Sequence, residues 1–385
     1  MRNALSDPSF VKVACSSAGN AVDAVHEVAA QIDATDTCFA LAFAPEGYDL
    51  DALAQGLDAA LGGVPVFGCT TAGQITPQGY ETDTLLLLAF PKAHFRCASM
   101  LIEPLAPLSI PEIAAMAKRH TDRFSHTASW NRLALIFSDG LSKQEDLLVS
   151  TLETVLDGLP IFGGSAADGL LFEKTFVLHG GRFHRNAAVL LLLETNLQFQ
   201  GLGFDHFLPG ETQLVITRAN PEDRLVYEIN GAPAADEYAR LVGCSVAQLS
   251  PQIFAENPML VRHNMNYYVR AVSDVTDSHA LSFLAAIDDG LIMTLGRGQE
   301  IIETLEAGLS ISDAQGRQPD FILGFDCVLR KLEIEQKQLG AAVSGIFRNR
   351  RVLGFNTFGE QHCGVHMNQT FVGVAFFESN KGHPL

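Results

Sequence analysis

The sequence predicts an α/β protein, α+β in character, in which repeated strand-helix-strand-turn-strand units form mixed sheets covered by helices. Three observations carry that prediction. Val64-Pro65-Val66-Phe67-Gly68-Cys69-Thr70-Thr71-Ala72-Gly73 is echoed by Leu159-Pro160-Ile161-Phe162-Gly163-Gly164-Ser165-Ala166-Ala167-Asp168, each a short apolar stretch running into small residues. The flanks of the two copies match in order and approximate length. A third, weaker copy lies near the end, at Val352-Leu353-Gly354-Phe355-Asn356-Thr357-Phe358-Gly359-Glu360.

Taken in order, the first copy has a strand at 39–43 and a helix at 50–61, where Leu50, Leu53, Leu57 and Leu61 recur at helical spacing. Its small-residue turn leads to an apolar strand at 84–90. In the second copy a strand at 133–137 precedes a helix at 144–156, and the closing strand is 188–194. The third copy has a strand at 321–325, a helix at 333–343 and a closing strand at 369–377. Repeats of this length imply duplicated halves packed together rather than a solenoid of short units. Between the second and third copies the reading changes to a strand at 213–218, an Asn230-Gly231 turn and Pro233 opening a helix at 234–241. A strand at 267–272 and a helix at 301–309 follow. The expected division is a domain of residues 1–212 with two internal repeats and a domain of residues 213–378 ending in the third. An α-β-β-α sandwich is one arrangement that such units allow.

A chain of 385 residues with 47% apolar content exceeds what one hydrophobic core usually holds, so two are expected. Its 44 acidic residues outnumber 26 Lys and Arg, giving a net charge of −18 and a surface that repels phosphate backbones. Nucleic acid is not an expected partner. Residues 1–10 hold Arg2, Asp7 and Pro8 without an apolar stretch, against a secretory signal. Apolar runs such as 85–90 and 187–193 fall far short of the roughly 20 residues of a membrane helix. Seven scattered cysteines without a C-x-x-C pair suggest reduced thiols in a cytoplasmic protein. Homo-oligomer formation is compatible with all of this.

Phe67 to Gly73, Phe162 to Asp168, Asp326-Cys327-Val328-Leu329-Arg330, and Gly359-Glu360-Gln361 followed by His366-Met367-Asn368-Gln369-Thr370-Phe371 together resemble the FIST family. These are bacterial sensory proteins with an N-terminal and a C-terminal FIST domain, and the resemblance covers nearly the whole chain. It implies small-molecule sensing in company with a histidine kinase, a chemoreceptor or a cyclic-di-GMP enzyme. Some stand-alone members look like haem b proteins that sense nitric oxide. With no kinase, receiver or transmembrane segment in its sequence, this chain resembles the stand-alone sort, whose output passes through a partner such as a histidine kinase.

A haem site needs an axial ligand, an apolar slot and donors for the propionates. His366 is the first candidate for the iron, because it lies in the closing motif beside the turn equivalent to Thr70-Thr71. Residue type alone favours a satisfied structural histidine by roughly three to one, and the resemblance brings the two readings level. Cys363 could supply a thiolate but ranks lower. His362 and His366 have i, i+4 spacing, yet Gly364 argues against the helix a zinc pair would need. His263 lies among aromatic residues and two guanidiniums that could line a cofactor slot, with Arg270 as an anion partner. A solvated edge strand is the plainer reading there. The turns at Thr70, Thr71, Ser165 and Asn356 could present backbone N–H groups to a ligand, since small side chains permit close approach. Tight strand connections without a ligand would look the same.

The leading expectation is thus a haem-dependent nitric-oxide sensor acting on a partner histidine kinase. The alternative is direct sensing of an amino acid or similar metabolite, with Arg270 and the small turns holding its carboxylate. An acyl-transfer enzyme would use Cys69 or Ser165 as nucleophile, but neither turn has a nearby histidine or a G-x-S-x-G setting. Enzymatic activity is not expected.

Overall fold

Three copies of one strand-and-helix order generate the fold. The structure is a computed structural model; the described residues are 10–263 and 266–378, with the side chains of His263 and Asn266 outside the description. Unit one comprises β1 (Lys12–Ser16), α1 (Ala21–Ala29), β2 (Thr37–Pro45), α2 (Leu50–Ala60), β3 (Val66–Thr71), a hairpin of β4 (Gln74–Thr76) and β5 (Gly79–Glu81), and β6 (Leu85–Pro91). Unit two repeats the order in β7 (Phe95–Ile102), α3 (Ile110–Arg123), β8 (Asn131–Ser138), α4 (Glu145–Leu156), β9 (Ile161–Ser165), β10 (Val177–His179), β11 (Arg182–His184) and β12 (Ala188–Thr195).

Unit three starts with β13 (Gln198–Phe204) and is then interrupted. The inserted segment contains β14 (Phe207–Asn220), β15 (Leu225–Ile229), β16 (Ala232–Pro233), α5 (Ala234–Val242), α6 (Pro251–Glu256), β17 (Met259–His263), β18 (Asn266–Arg270), β19 (Val272–Val275), β20 (Leu281–Phe283) and β21 (Ile292–Gly298). The unit resumes with α7 (Ile301–Leu309), β22 (Phe321–Cys327), α8 (Val328–Gln336), α9 (Gly340–Arg350), β23 (Val352–Thr357), the hairpin β24 (Glu360–His362) and β25 (Val365–Met367), and β26 (Phe371–Phe377). The single helix expected at 333–343 is two, because Gln338 adopts a left-handed φ of 57° and turns the chain.

Strand β2 shows why each unit folds as it does. Phe39, Leu41 and Phe43 face one side while Ala40, Ala42 and Ala44 face the other, the period of two of an extended chain. The alanines let Val25, Val28, Leu53 and Leu57 of α1 and α2 pack closely on that face. Asn20 and Asp49 start these helices by accepting the Asp23 and Ala52 N–H groups at 2.9 and 3.0 Å.

The sheets run β1-β6-β2-β3, β7-β12-β8-β9 and β13-β26-β22-β23, and each is completed by a hairpin from a different unit. Hairpin β10-β11 of unit two pairs with β3, β24-β25 of unit three with β9, and β4-β5 of unit one with β23. Donation is cyclic. The inner faces of the three sheets enclose one apolar core, in which the Phe43 ring lies 4.6 Å from Phe355 and 5.9 Å from Phe137. Each phenylalanine sealed there contributes roughly 1.5–3 kcal/mol. Helices of the three units cover the outer faces. Three sheets around one core therefore replace the two-sheet sandwich.

The division at 212/213 does not separate packing units, and this corrects the sequence expectation. It falls inside β14, while β13, on its N-terminal side, pairs along its whole length with β26 at the far end of the chain. The independent core is the insertion, where Leu214, Ile216, Val226, Tyr238, Phe254 and Met293 pack together. Among the described residues no helix is long and apolar enough to cross a membrane.

Candidate functional site

The three small-residue turns occupy equivalent positions. Gly68, Gly163 and Gly354 lie opposite Ala42, Ile136 and Gly324 in the parallel pairs β2-β3, β8-β9 and β22-β23. A Cβ at any of them would sit 1.8–2.0 Å from the opposing carbonyl oxygen. Two residues on lie Thr70, Ser165 and Asn356, whose turns are joined by the bonds from the Ala167 N–H to the Thr70 carbonyl and from the Ala72 N–H to the Asn356 carbonyl, 2.9 and 3.0 Å long. Their N–H groups donate to the carbonyls of Phe176, Gly359 and Gly73 at 3.0, 2.8 and 2.8 Å. These N–H groups are therefore engaged within the protein, and the expectation that they present free donors to a ligand is corrected. Thr71 is likewise satisfied, donating to the Ala44 carbonyl and accepting the Gln74 amide. The insertion lies over this junction: Phe207, Leu260, Val269 and Ala271 pack on Ala72, Ala167 and Phe358.

Beside the junction, at the carboxyl ends of β2 and β3, is a cleft of about 220 Å³ lined by Glu46, Leu50, Thr70, Asp168, Leu171, Glu173, Lys174 and Phe176. Parallel α/β sheets characteristically bind ligands there. Asp168 shapes one wall, its carboxylate accepting the N–H groups of Phe172, Glu173 and Lys174 at 2.9, 2.7 and 2.7 Å. Thr70, 2% exposed, accepts the Phe176 N–H at 3.1 Å. Burial, followed by the charges of Asp168, Asp83 and Glu173, raises the Glu46 carboxyl above its ordinary range. Three carboxylates against Lys174 leave an excess of negative charge.

His366 lies elsewhere, under the insertion and 2% exposed. Its ring rests on the Gly359 backbone, where a Cβ would be 2.1 Å from Cε1, and Arg270 donates to its carbonyl at 3.0 Å. Burial first, then the guanidiniums of Arg224 and Arg270, push the imidazole down to about 4 against the pull of Asp146. Nδ1 has no partner. An iron ligand needs an open apolar slot for the macrocycle, but backbone and buried charges fill this space, so the residues around His366 do not fit haem. Arg270 donates to the His366 carbonyl and feels the charge of Asp146, so its guanidinium is engaged within the protein. A neutral histidine in the fold and an ordinary one in the unfolded chain mean that the latter binds more protons between about pH 4 and 6.5. This contribution to stability is complete above about pH 6.5 and falls by about 3 kcal/mol as the pH drops to about 4. His366→Asn should flatten that limb of a stability-against-pH curve measured by urea unfolding.

Cys363 is exposed as a residue, with Sγ 3.3 Å from Nε2 of neighbouring His362; partial desolvation of the sulfur, then the charge of Glu153, raises its thiol pKa. His263 ends β17, but its side chain lies outside the described residues. Cys69 is fully buried and held well above the ordinary thiol range by that burial. Ser165, also sealed, bonds Ser138 and Gln361. No group of three or more His, Cys, Asp or Glu residues among those described is placed to hold a metal ion.

Sequence reasoning did not select Glu46, Glu173, Lys174 or Phe176. The available signal was Glu46 directly after the strand ending at Pro45. It also missed a buried network in which Tyr80 donates to Asp326 and Arg330 bonds Asp326 and His206.

A sheet-enclosed core with a cleft at the carboxyl ends of parallel strands defines an α/β protein with a candidate ligand site. The FIST N domain matches residues 38–232 and the FIST C domain residues 234–363, and the chain belongs to the FIST family of sensory signalling domains. The boundary between the two matches lies within the insertion. An uncharacterized protein of Methanocaldococcus jannaschii, MJ1623, is 23% identical over 235 residues, which are 59% of this chain and 45% of that protein. The chain thus spans less than half the length of that relative.

Proposed function

We propose that the chain senses a small metabolite bearing an ammonium group, an amino acid or a close relative, and conveys its binding to a partner signalling protein such as a histidine kinase. The excess of carboxylates in the 220 Å³ cleft carries this reading. Glu46 and Glu173 complement the ammonium, Phe176 and Leu50 enclose the carbon skeleton, and Lys174 supplies a cation for a ligand carboxylate. Family membership supports ligand sensing in general; a kinase partner is the specific output proposed. The Asp168-anchored loop joins the cleft to the junction through Phe172, which stacks on Phe358 at 4.5 Å. Binding therefore has a physical route to the insertion.

Calorimetric titration with amino acids and simple amines tests the proposal. At least one amine should bind, and Glu46→Gln should weaken it about tenfold, equivalent to about 1.4 kcal/mol. Equal affinity in the variant, or binding confined to acids lacking an amine, would sink it. For haem b and nitric oxide, the packing around His366 argues the other way. Absorption spectra with added haem, comparing the natural protein with His366→Ala, distinguish that reading.

A further inference from the structure

We propose that Arg350 and Arg351, at the turn from α9 into β23, form a site for a compact oxyanion, a phosphate group either free or carried on a small molecule. The internal repeat isolates these two residues. In each unit the parallel strand pair begins with the same bond: the N–H groups of Ala40, Ala134 and Ile322 donate to the carbonyls of Pro65, Pro160 and Arg351 at 2.9, 2.9 and 3.0 Å. Units one and two fill the equivalent positions with Val64-Pro65 and Leu159-Pro160, so the turn forms without a charge. Nor does the helix end require one, because α2 and α4 carry no basic residue in their last turns, whereas α9 carries Arg348 and Arg350. Arg351 also holds a left-handed φ of 51°, which most residues other than glycine avoid. Folding alone thus accounts for neither guanidinium.

Gln318, Asn349, Arg350 and Arg351 line a cavity of about 90 Å³ together with Pro319 and Ile322, and no Asp or Glu is among the described residues around it. That space takes several waters, and so a compact oxyanion rather than a nucleoside. Neutral groups hold the guanidiniums: Arg350 Nη1 donates to Gln318 Oε1 at 2.9 Å, and Arg351 Nη1 to the Asp320 and Pro319 carbonyls at 3.0 and 3.4 Å. These bonds position the two charges without neutralising them. Arg351 Nε is buried with no partner. Because Gln318 accepts through Oε1, its Nε2 group remains as a donor. Guanidiniums with N–H groups to spare bind phosphate oxygens through paired, charge-assisted hydrogen bonds. In a chain of net charge −18, Arg348, Arg350 and Arg351 make a local exception to the acidic surface.

Calorimetric titration of the full chain with inorganic phosphate, and separately with glycerol phosphate, tests the site. Saturable binding of at least one is expected, and Arg350→Gln and Arg351→Gln should each weaken it about tenfold or more. Tighter binding of glycerol phosphate assigns the group to a small ester; tighter binding of inorganic phosphate assigns it to the free anion. Lys174→Gln, which removes the cation of the separate cleft near Glu46, should leave phosphate affinity unchanged. No saturable binding of either ligand, equal affinity in the arginine variants, or loss confined to Lys174→Gln overturns the proposal. Should Arg351→Gln fail to fold, Arg350→Gln, at the half-buried helix end, decides.

Discussion

Arg330→Met is expected to destabilise the protein by about 3–5 kcal/mol, the cost of removing one partner from a buried ion pair. Arg330 is completely buried on α8, with Nε 2.7 Å from Asp326 and Nη1 3.1 Å from His206. His206 in turn contacts Glu333 at 2.9 Å, and Lys337 reaches Glu333 at 2.6 Å. Without the guanidinium, the buried Asp326 carboxyl loses its ion-pair partner and retains the Tyr80 hydroxyl as a donor. Urea unfolding of Arg330→Met, Asp326→Leu and the double variant gives the coupling directly. Removing both charges should recover part of the loss; a loss below about 1 kcal/mol in the single variant would refute this account.

Gly68→Val should lose about 4 kcal/mol or more, because two independent penalties act at one residue. Its φ of 139° suits glycine, and a Cβ there would be 2.0 Å from the Ala42 carbonyl oxygen, which is fixed in the β2-β3 ladder. Gly62→Ala is the matched comparison. Gly62 has a positive φ of 60° with nothing within 4 Å of an added Cβ, so the loss should be about 1 kcal/mol, from conformation alone. Similar losses in the two variants would show that the close approach is not limiting.

The repeats were legible because residues at period two and period 3.6 betray strands and helices, and because a glycine facing a carbonyl on a parallel neighbour recurs three times. The boundary was not legible, since β13 and β26 form one sheet across an insertion while local patterning reports only nearby neighbours. His366 stood out as a chemically versatile residue in a motif, yet its surroundings come from Gly359, Arg270 and Asp146, which are distant in sequence except for the first. Glu46 and Lys174 carry no signature until folding sets them around one cleft.

The circular hairpin exchange constrains the chain as it emerges from the ribosome. Strand β3 can receive β10 soon after unit two is made, but the β4-β5 hairpin must wait for β23, nearly three hundred residues later, before its edge is covered. Native contacts of such long separation slow folding, and an unpaired strand edge invites association with other chains in the interval. A nascent chain stopped before β23 should therefore be a chaperone substrate and protease-sensitive around residues 74–81, even though two of its three units have already been synthesised.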